Sequence, residues 1–159
     1  MAYLVDGNNF IGHTSPYELR DPRSKYSLIS KLLIFNKIKR TKIFVVFDGP
    51  PDPSITDQNF TDRSLTVFHP DRGQNADRVI KDIISKHARK RRFFVVSSDR
   101  EIKDFARKNG LKPLSCETFN KELKTVLKEN KDLAEMDKNE VFPSPLEISH
   151  WTDIFEKKG

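Results

Sequence analysis

Cysteine is nearly absent: Cys116 stands alone in 159 residues, so no internal disulfide is possible and the fold must rest on its core. No apolar run approaches the ~18 residues of a membrane span, no cationic segment leads into an apolar one, and no lipidation motif occurs. These absences predict a soluble, cytoplasmic chain with no membrane partner. GxGxxG and P-loop sequences are missing too, which removes the usual phosphate cradles of nucleotide enzymes. His13, His69, His87 and His150 show no ligand spacing, and there is no internal repeat or low-complexity tract.

What is present is one domain's length of chain, long enough to bury a core unaided. Lys and Arg number 29 against 23 acids, a formal charge of +6 with pI near 9.4. That balance favours a polyanionic partner without establishing one.

Three runs of strand length each finish on an aspartate. Tyr3-Leu4-Val5 leads to Asp6-Gly7-Asn8-Asn9, Phe44 to Phe47 to Asp48-Gly49, and Phe93 to Val96 to Ser97-Ser98-Asp99. If these are neighbouring parallel strands, the acids converge at the edge where open α/β sheets place their sites. The intervening pattern supports that topology. Phe10 to Arg23 reads as a loop, and Ser24 can cap a helix to about Lys39 with an apolar stripe of Leu28, Ile29, Leu32, Leu33, Phe35 and Ile38. Lys42 to Phe47 then returns as the second strand.

Residues 49–63, with Pro50-Pro51-Asp52-Pro53, read as an exposed loop beside the acids, and Leu65 to Phe68 as a short third strand. Asn75 can cap a helix to about Lys90 that buries Val79, Ile80, Ile83, Ile84 and Ala88. Ser98 begins another, with Glu101 in a capping box, Ile102, Phe105 and Ala106 inward, and Gly110 as its stop. Leu111 to Ser115 suits an edge strand because it contains Pro113, and Glu117 to about Lys128 a helix. The expected organisation is an α/β domain over 1–130, a charged, proline-containing linker over 131–145, and a C-terminal helix over 146–157 docking on the same domain. Ser144-Pro145 supplies the start of that helix.

Phosphodiester cleavage needs an activated water and neutralisation of phosphate charge, which Mg²⁺ or Mn²⁺ held by several acids supplies. Asp6, Asp48 and Asp99 end strands, and Asp77 opens the helix after Asn75. Turn and cap chemistry offers a second explanation for each acid taken singly. It does not require them to share an edge.

The stretches YLVDGNN, FVVFDGP, NADRVIKDI, FVVSSDREI and PLEISHWTDIF, in order from Tyr3 to about Phe155, resemble the NYN domain in its YacP-like branch of the PIN-like nuclease superfamily. The resemblance implies a three-layer, Rossmann-like PIN fold with a mostly parallel sheet, a divalent-metal site and endoribonuclease activity. Some YacP-like members act on messenger RNA at the ribosome. Asp6, Asn8, Asp77 and Asp99 match the family's catalytic positions. Asp6, Asp77 and Asp99 would hold the ion, with Glu101 near the position of a further family acid, and Asp48 in an outer role. Asn8 would orient a water or a phosphate oxygen, and Arg78 or Arg100 would offset transition-state charge.

Single-stranded or messenger RNA would meet Arg20, Arg23 and Lys25 in the first loop, Arg63 and Arg72 around the third strand, and Arg78, Lys81, Arg100 and Lys103 on the helices. Phe10, Tyr17 and Phe60 are candidates for stacking on bases. The two basic runs, Lys37 to Lys42 and Lys86 to Arg92, each end a helix before a strand, so they belong at the opposite edge. A non-catalytic RNA- or ribosome-binding module is the competing reading. A small-molecule phosphatase has less support, since Asp6-Gly7-Asn8 lacks the paired aspartates such enzymes use.

Overall fold

The structure is a computed structural model, which describes residues 1–14, 21–49 and 64–136. Strands β1 (Ala2–Asp6), β2 (Lys42–Val46), β3 (Leu65–Phe68), β4 (Phe93–Val96) and β5 (Lys112–Leu114) form a parallel sheet in the order β3-β2-β1-β4-β5. The central strand is β1. Its register sets Asp6 against Val46 and Val5 against Val96, so the runs expected to converge do end at one edge.

Side chains alternate between two dry faces, which is why the strands read as continuous apolar runs. Tyr3, Val5, Ile43, Val45 and Val96 pack with α1 (Gly7–Thr14), α2 (Pro22–Lys39) and α5 (Cys116–Met136). On the other side Leu4, Phe44, Val46, Phe93 and Val95 pack with α3 (Ala76–Lys86) and α4 (Arg100–Lys108). Three layers result, as the sequence predicts. Pro113 lies in the edge strand β5, where a missing N–H is tolerated.

Several local expectations are corrected. The stretch read as loop from Phe10 opens inside α1, which starts directly on Gly7. A Cβ at Gly7 would lie 2.6 Å from the Phe47 ring and 2.8 Å from the Val46 carbonyl, so this close approach requires glycine. Phe10 is buried, its ring 5.9 Å from Phe119, and is no stacking platform for bases. With glycine and asparagine poor helix formers, α1 exists because Phe10 and Ile11 bury, not because of propensity.

Helix α2 is capped by Asp21, which accepts from the Arg23 N–H, with Pro22 at its first position, rather than by Ser24. Helix α3 is capped by Asn75 as expected but stops at Lys86, and Ala88 is exposed. The left-handed backbone of Arg89 is incompatible with continuing it. Helix α4 is capped by Asp99 and not by a Ser98–Glu101 box. Helix α5 runs on from the expected stop near Lys128 to Met136. The expected C-terminal helix, Tyr17, Arg20, Phe60 and Arg63 lie outside the described residues. No helix among the described residues is long and apolar enough to cross a membrane.

Candidate active site

At the C-terminal edge of the sheet a cleft is lined by Asp6, Asn8, Asn9, Gly12, His13, Asp48, Ala76, Asp77 and Asp99. The three acids singled out in the sequence are therefore brought together, with Asp48 beside them. Each arrives by a different route: Asp6 on β1, Asp48 just past β2, Asp77 in the first turn of α3 and Asp99 at the cap of α4.

Asp6 is the buried member, only 7% exposed. Ser97 Oγ donates to its Oδ2 at 3.0 Å. Burial pushes the Asp6 carboxyl up to about 6; the Ser97 hydroxyl pulls the other way, Asp77 adds to the rise, the Asn9 N–H lowers it and Asp99 raises it further. Asp77 is exposed at its surface, yet partial desolvation against the cleft raises it too, reinforced by Asp99 and Glu101 and opposed by Lys81, with a small upward contribution from Asp48. Among the described residues no cation pairs with Asp6, so the site concentrates negative charge that Lys81 offsets only at Asp77.

Hydrogen bonds lock the edge together. Asn8 Oδ1 accepts from the Asp48 N–H at 2.8 Å, tying the end of β1 to the end of β2. Asn9 does the same toward β4: its Oδ1 accepts from the Ser98 N–H at 2.8 Å and from Cys116 Sγ at 3.2 Å. Ser97, fully buried, joins two acids, because the hydroxyl that donates to Asp6 also accepts from the Asp99 N–H at 3.1 Å. Asn9 and Ser97 escaped the sequence reading as site residues. The Asn8-Asn9 and Ser97-Ser98 doublets after apolar strands were the available signal.

Glu101 does not join the cleft lining. Its carboxylate pairs with Lys81, which in turn sits 5.7 Å over the Phe105 ring and has its pKa raised by the Glu101 hydrogen bond. Asp99 accepts from the Glu101 N–H at 2.9 Å, so part of its acceptor capacity serves the helix. His13 Nδ1 lies 3.2 Å from Glu117 Oε2, whose other oxygen accepts from Ser98 Oγ at 3.3 Å. Burial pushes the Cys116 thiol up to about 11, which leaves it a poor nucleophile at neutral pH.

None of the described candidate RNA contacts lines the cleft itself. Arg78 lies in an adjoining hollow with Asp77, Lys81 and Glu101, and 4.0 Å from Asp82. Arg100 is near Glu101 and Asp104. Arg23 pairs with Asp21, while Arg72 is exposed in the turn before α3 and Lys103 is half-buried on α4. Lys25 Nζ donates to the Asp48 carbonyl at 3.3 Å.

Hard oxygen donors of like charge suit Mg²⁺ or Mn²⁺. Among the described residues no three acidic, histidine or cysteine side chains close on one point as a ready metal cage. The donor set still fits, since Mg²⁺ keeps several waters and needs only one or two direct carboxylates.

A family model for the YacP-like NYN domain matches residues 3–152. The structure of Rae1 (YacP) from Bacillus subtilis superposes with a TM-score of 0.72 at 17% identity, covering 99% of this chain and 89% of that one. A mutant form of the same protein gives 0.69 at 19% identity, covering 89% and 86%. No curated protein matches the sequence significantly. At such identities the structural likeness shows the fold alone, while the family match extends over nearly the whole chain. The chain belongs to the YacP-like NYN domain family.

Proposed function

We propose that this protein is a divalent-metal-dependent endoribonuclease that hydrolyses RNA phosphodiester bonds at the acid cleft. One observation carries the reading: Asp6 is buried, faces Asp77 and Asp99, and has no cation against it among the described residues. Caps and turns do not call for a carboxylate held at such cost.

Asp6, Asp77 and Asp99 would hold Mg²⁺ or Mn²⁺ directly or through water. The chemistry the ion supplies when bound is activation of a water and neutralisation of phosphate charge. Glu101 would take part only by leaving Lys81. Asn8, its oxygen already committed to the Asp48 N–H, has its amide NH₂ to offer a phosphate oxygen. Arg78 on α3 and Arg100 on α4 would offset transition-state charge. The narrower substrate implied by the sequence, messenger RNA on the ribosome, adds a second requirement and is tested by comparing free and translated RNA.

The competing reading, an RNA-binding module that cuts nothing, draws on two observations: Asp99 caps α4 and Glu101 is paired. Purified protein incubated with RNA and Mn²⁺ or Mg²⁺ separates the two. Cleavage that EDTA stops and Asp6→Asn abolishes supports the nuclease; metal-independent binding without cleavage in the wild type rejects it.

A further inference from the structure

The opposite edge of the sheet carries a charge concentration of its own. There α2 and α3 end, β2 and β4 begin, and neither Lys37 to Lys42 nor Lys86 to Arg92 contains an acid. Arg40, Lys42 and Arg89 to Arg92 are exposed, and none of them forms an ion pair with another described residue. The runs bracket the start of β1, since the Lys42 N–H donates to the Met1 carbonyl and the Ala2 N–H to the Arg92 carbonyl. With β1 between β2 and β4 they stand about two strand spacings, ~10 Å, apart.

Cations at helix C-termini need no special explanation. The backbone beneath them does. Arg40, Arg89 and Arg92, at φ 54°, 63° and 57°, are the only non-glycine residues with positive φ among the described residues. Glycine would relieve each position, yet each keeps a guanidinium, the group best shaped for bidentate contact with phosphate. The Arg89 turn is also braced. Its N–H donates to the Asn109 carbonyl at 2.7 Å, and its Cα lies 3.3 Å from where a Cβ on Gly110 would stand.

Among the described residues Met1 and Ile38 are the only large apolar side chains exposed, too few to anchor in lipid, and none of the described aromatics is exposed for bases to stack on. Recognition here is confined to backbone phosphate and shape, which is how double-stranded RNA is read. We infer that this edge is a second RNA-binding surface, gripping the phosphates of a base-paired RNA body. The acid cleft, the length of β1 away at ~16 Å, acts on a separate segment. From the nuclease reading it takes only the class of ligand.

The test uses the full chain carrying Arg40→Gly, Arg89→Gly and Arg92→Gly, with binding of an RNA hairpin measured in EDTA over a series of KCl concentrations. Affinity at moderate salt should fall at least ~10-fold and the plot of log K against log salt should be shallower by about two to three, while the melting temperature holds or rises. Lysine at the same three positions keeps the charge and should keep the slope. The assay reads binding in EDTA, where no metal-dependent cleavage takes place, so loss of the nuclease reading would leave this result standing. Unchanged affinity and slope in the glycine variant overturn the inference, as does equal loss in the lysine variant. Loss of binding to phosphatidylserine vesicles with hairpin affinity intact overturns it in favour of a membrane surface.

Discussion

The two edges of one parallel sheet differ in sign, and the same helices produce both. At the C-terminal edge α3 and α4 begin, offering N–H groups and the positive ends of their dipoles to Asp77 and Asp99. At the N-terminal edge α2 and α3 end, with Lys37, Lys39 and Lys86 in their last turns. Much of the charge polarity is thus what any such fold tolerates cheaply. Two features exceed that tolerance. Asp6 sits at the end of a strand, where the first N–H groups of α1, that of Asn9 among them, do not offset the cost of its burial, and three arginines hold left-handed backbone. The lesson is that function is legible where a residue costs more than its local role requires.

Asp6→Asn should break the acid edge most completely. RNA cleavage should fall by at least ~10²-fold, the scale for losing one electrostatic stabiliser. Without divalent metal the same variant should be more stable than wild type at pH 7, by up to about 3 kcal/mol, because a carboxyl raised to about 6 costs stability once ionised. The sign follows from the raised value: the native state holds the proton more tightly, so the stability this group contributes is full below pH ~4 and is lost as pH rises to ~6. Urea unfolding from pH 4 to 7 should show the two proteins converging at the acid end. Full cleavage by Asp6→Asn, or equal stability at pH 7, would break the contrast.

Adding Mg²⁺ or Mn²⁺ should reverse that strain in wild type. At 100 times its Kd the ion should stabilise the fold by about 2.7 kcal/mol, and Asp6→Asn should show little of this in thermal unfolding. Asn9→Ala removes the acceptor for the Ser98 N–H and should cost about 1–3 kcal/mol, lowering activity as the β1–β4 tie loosens. Asp99 separates two roles by choice of replacement. Asn caps a helix as well as Asp, so Asp99→Asn should lose cleavage at unchanged stability, whereas Asp99→Ala should also lose about 1 kcal/mol. Smallest of all, Arg40→Gly at the basic edge should gain up to about 1 kcal/mol with cleavage of a short single strand unaffected.

The layers, the strand ends and the gathering of Asp6, Asp77 and Asp99 could be read in advance because they follow from apolar runs separated by helices of parallel-crossover length. The helix α1 could not be. Its glycine and asparagines argue for a turn, and it forms only because Gly7 meets Phe47 and Phe10 reaches Phe119. The capping of α4 was equally ambiguous, since Ser98 and Asp99 are both good caps. Ser98 is taken instead by Cys116 and Glu117, two elements away in sequence.

By itself, then, the sequence determined which residues could be strands, which acids would lie at one edge and which cations at the other. Periodicity and parallel topology are local and directional, so they survive without coordinates. Only the tertiary structure decided that Asp6 is buried while Asp77 is exposed, and that Glu101 belongs to Lys81. It also decided that Asn9 and Ser97, rather than Asn8 alone, hold the edge together. Those outcomes depend on contacts between residues 20 to 91 positions apart, where burial and hydrogen bonding are settled by packing and no spacing rule reaches.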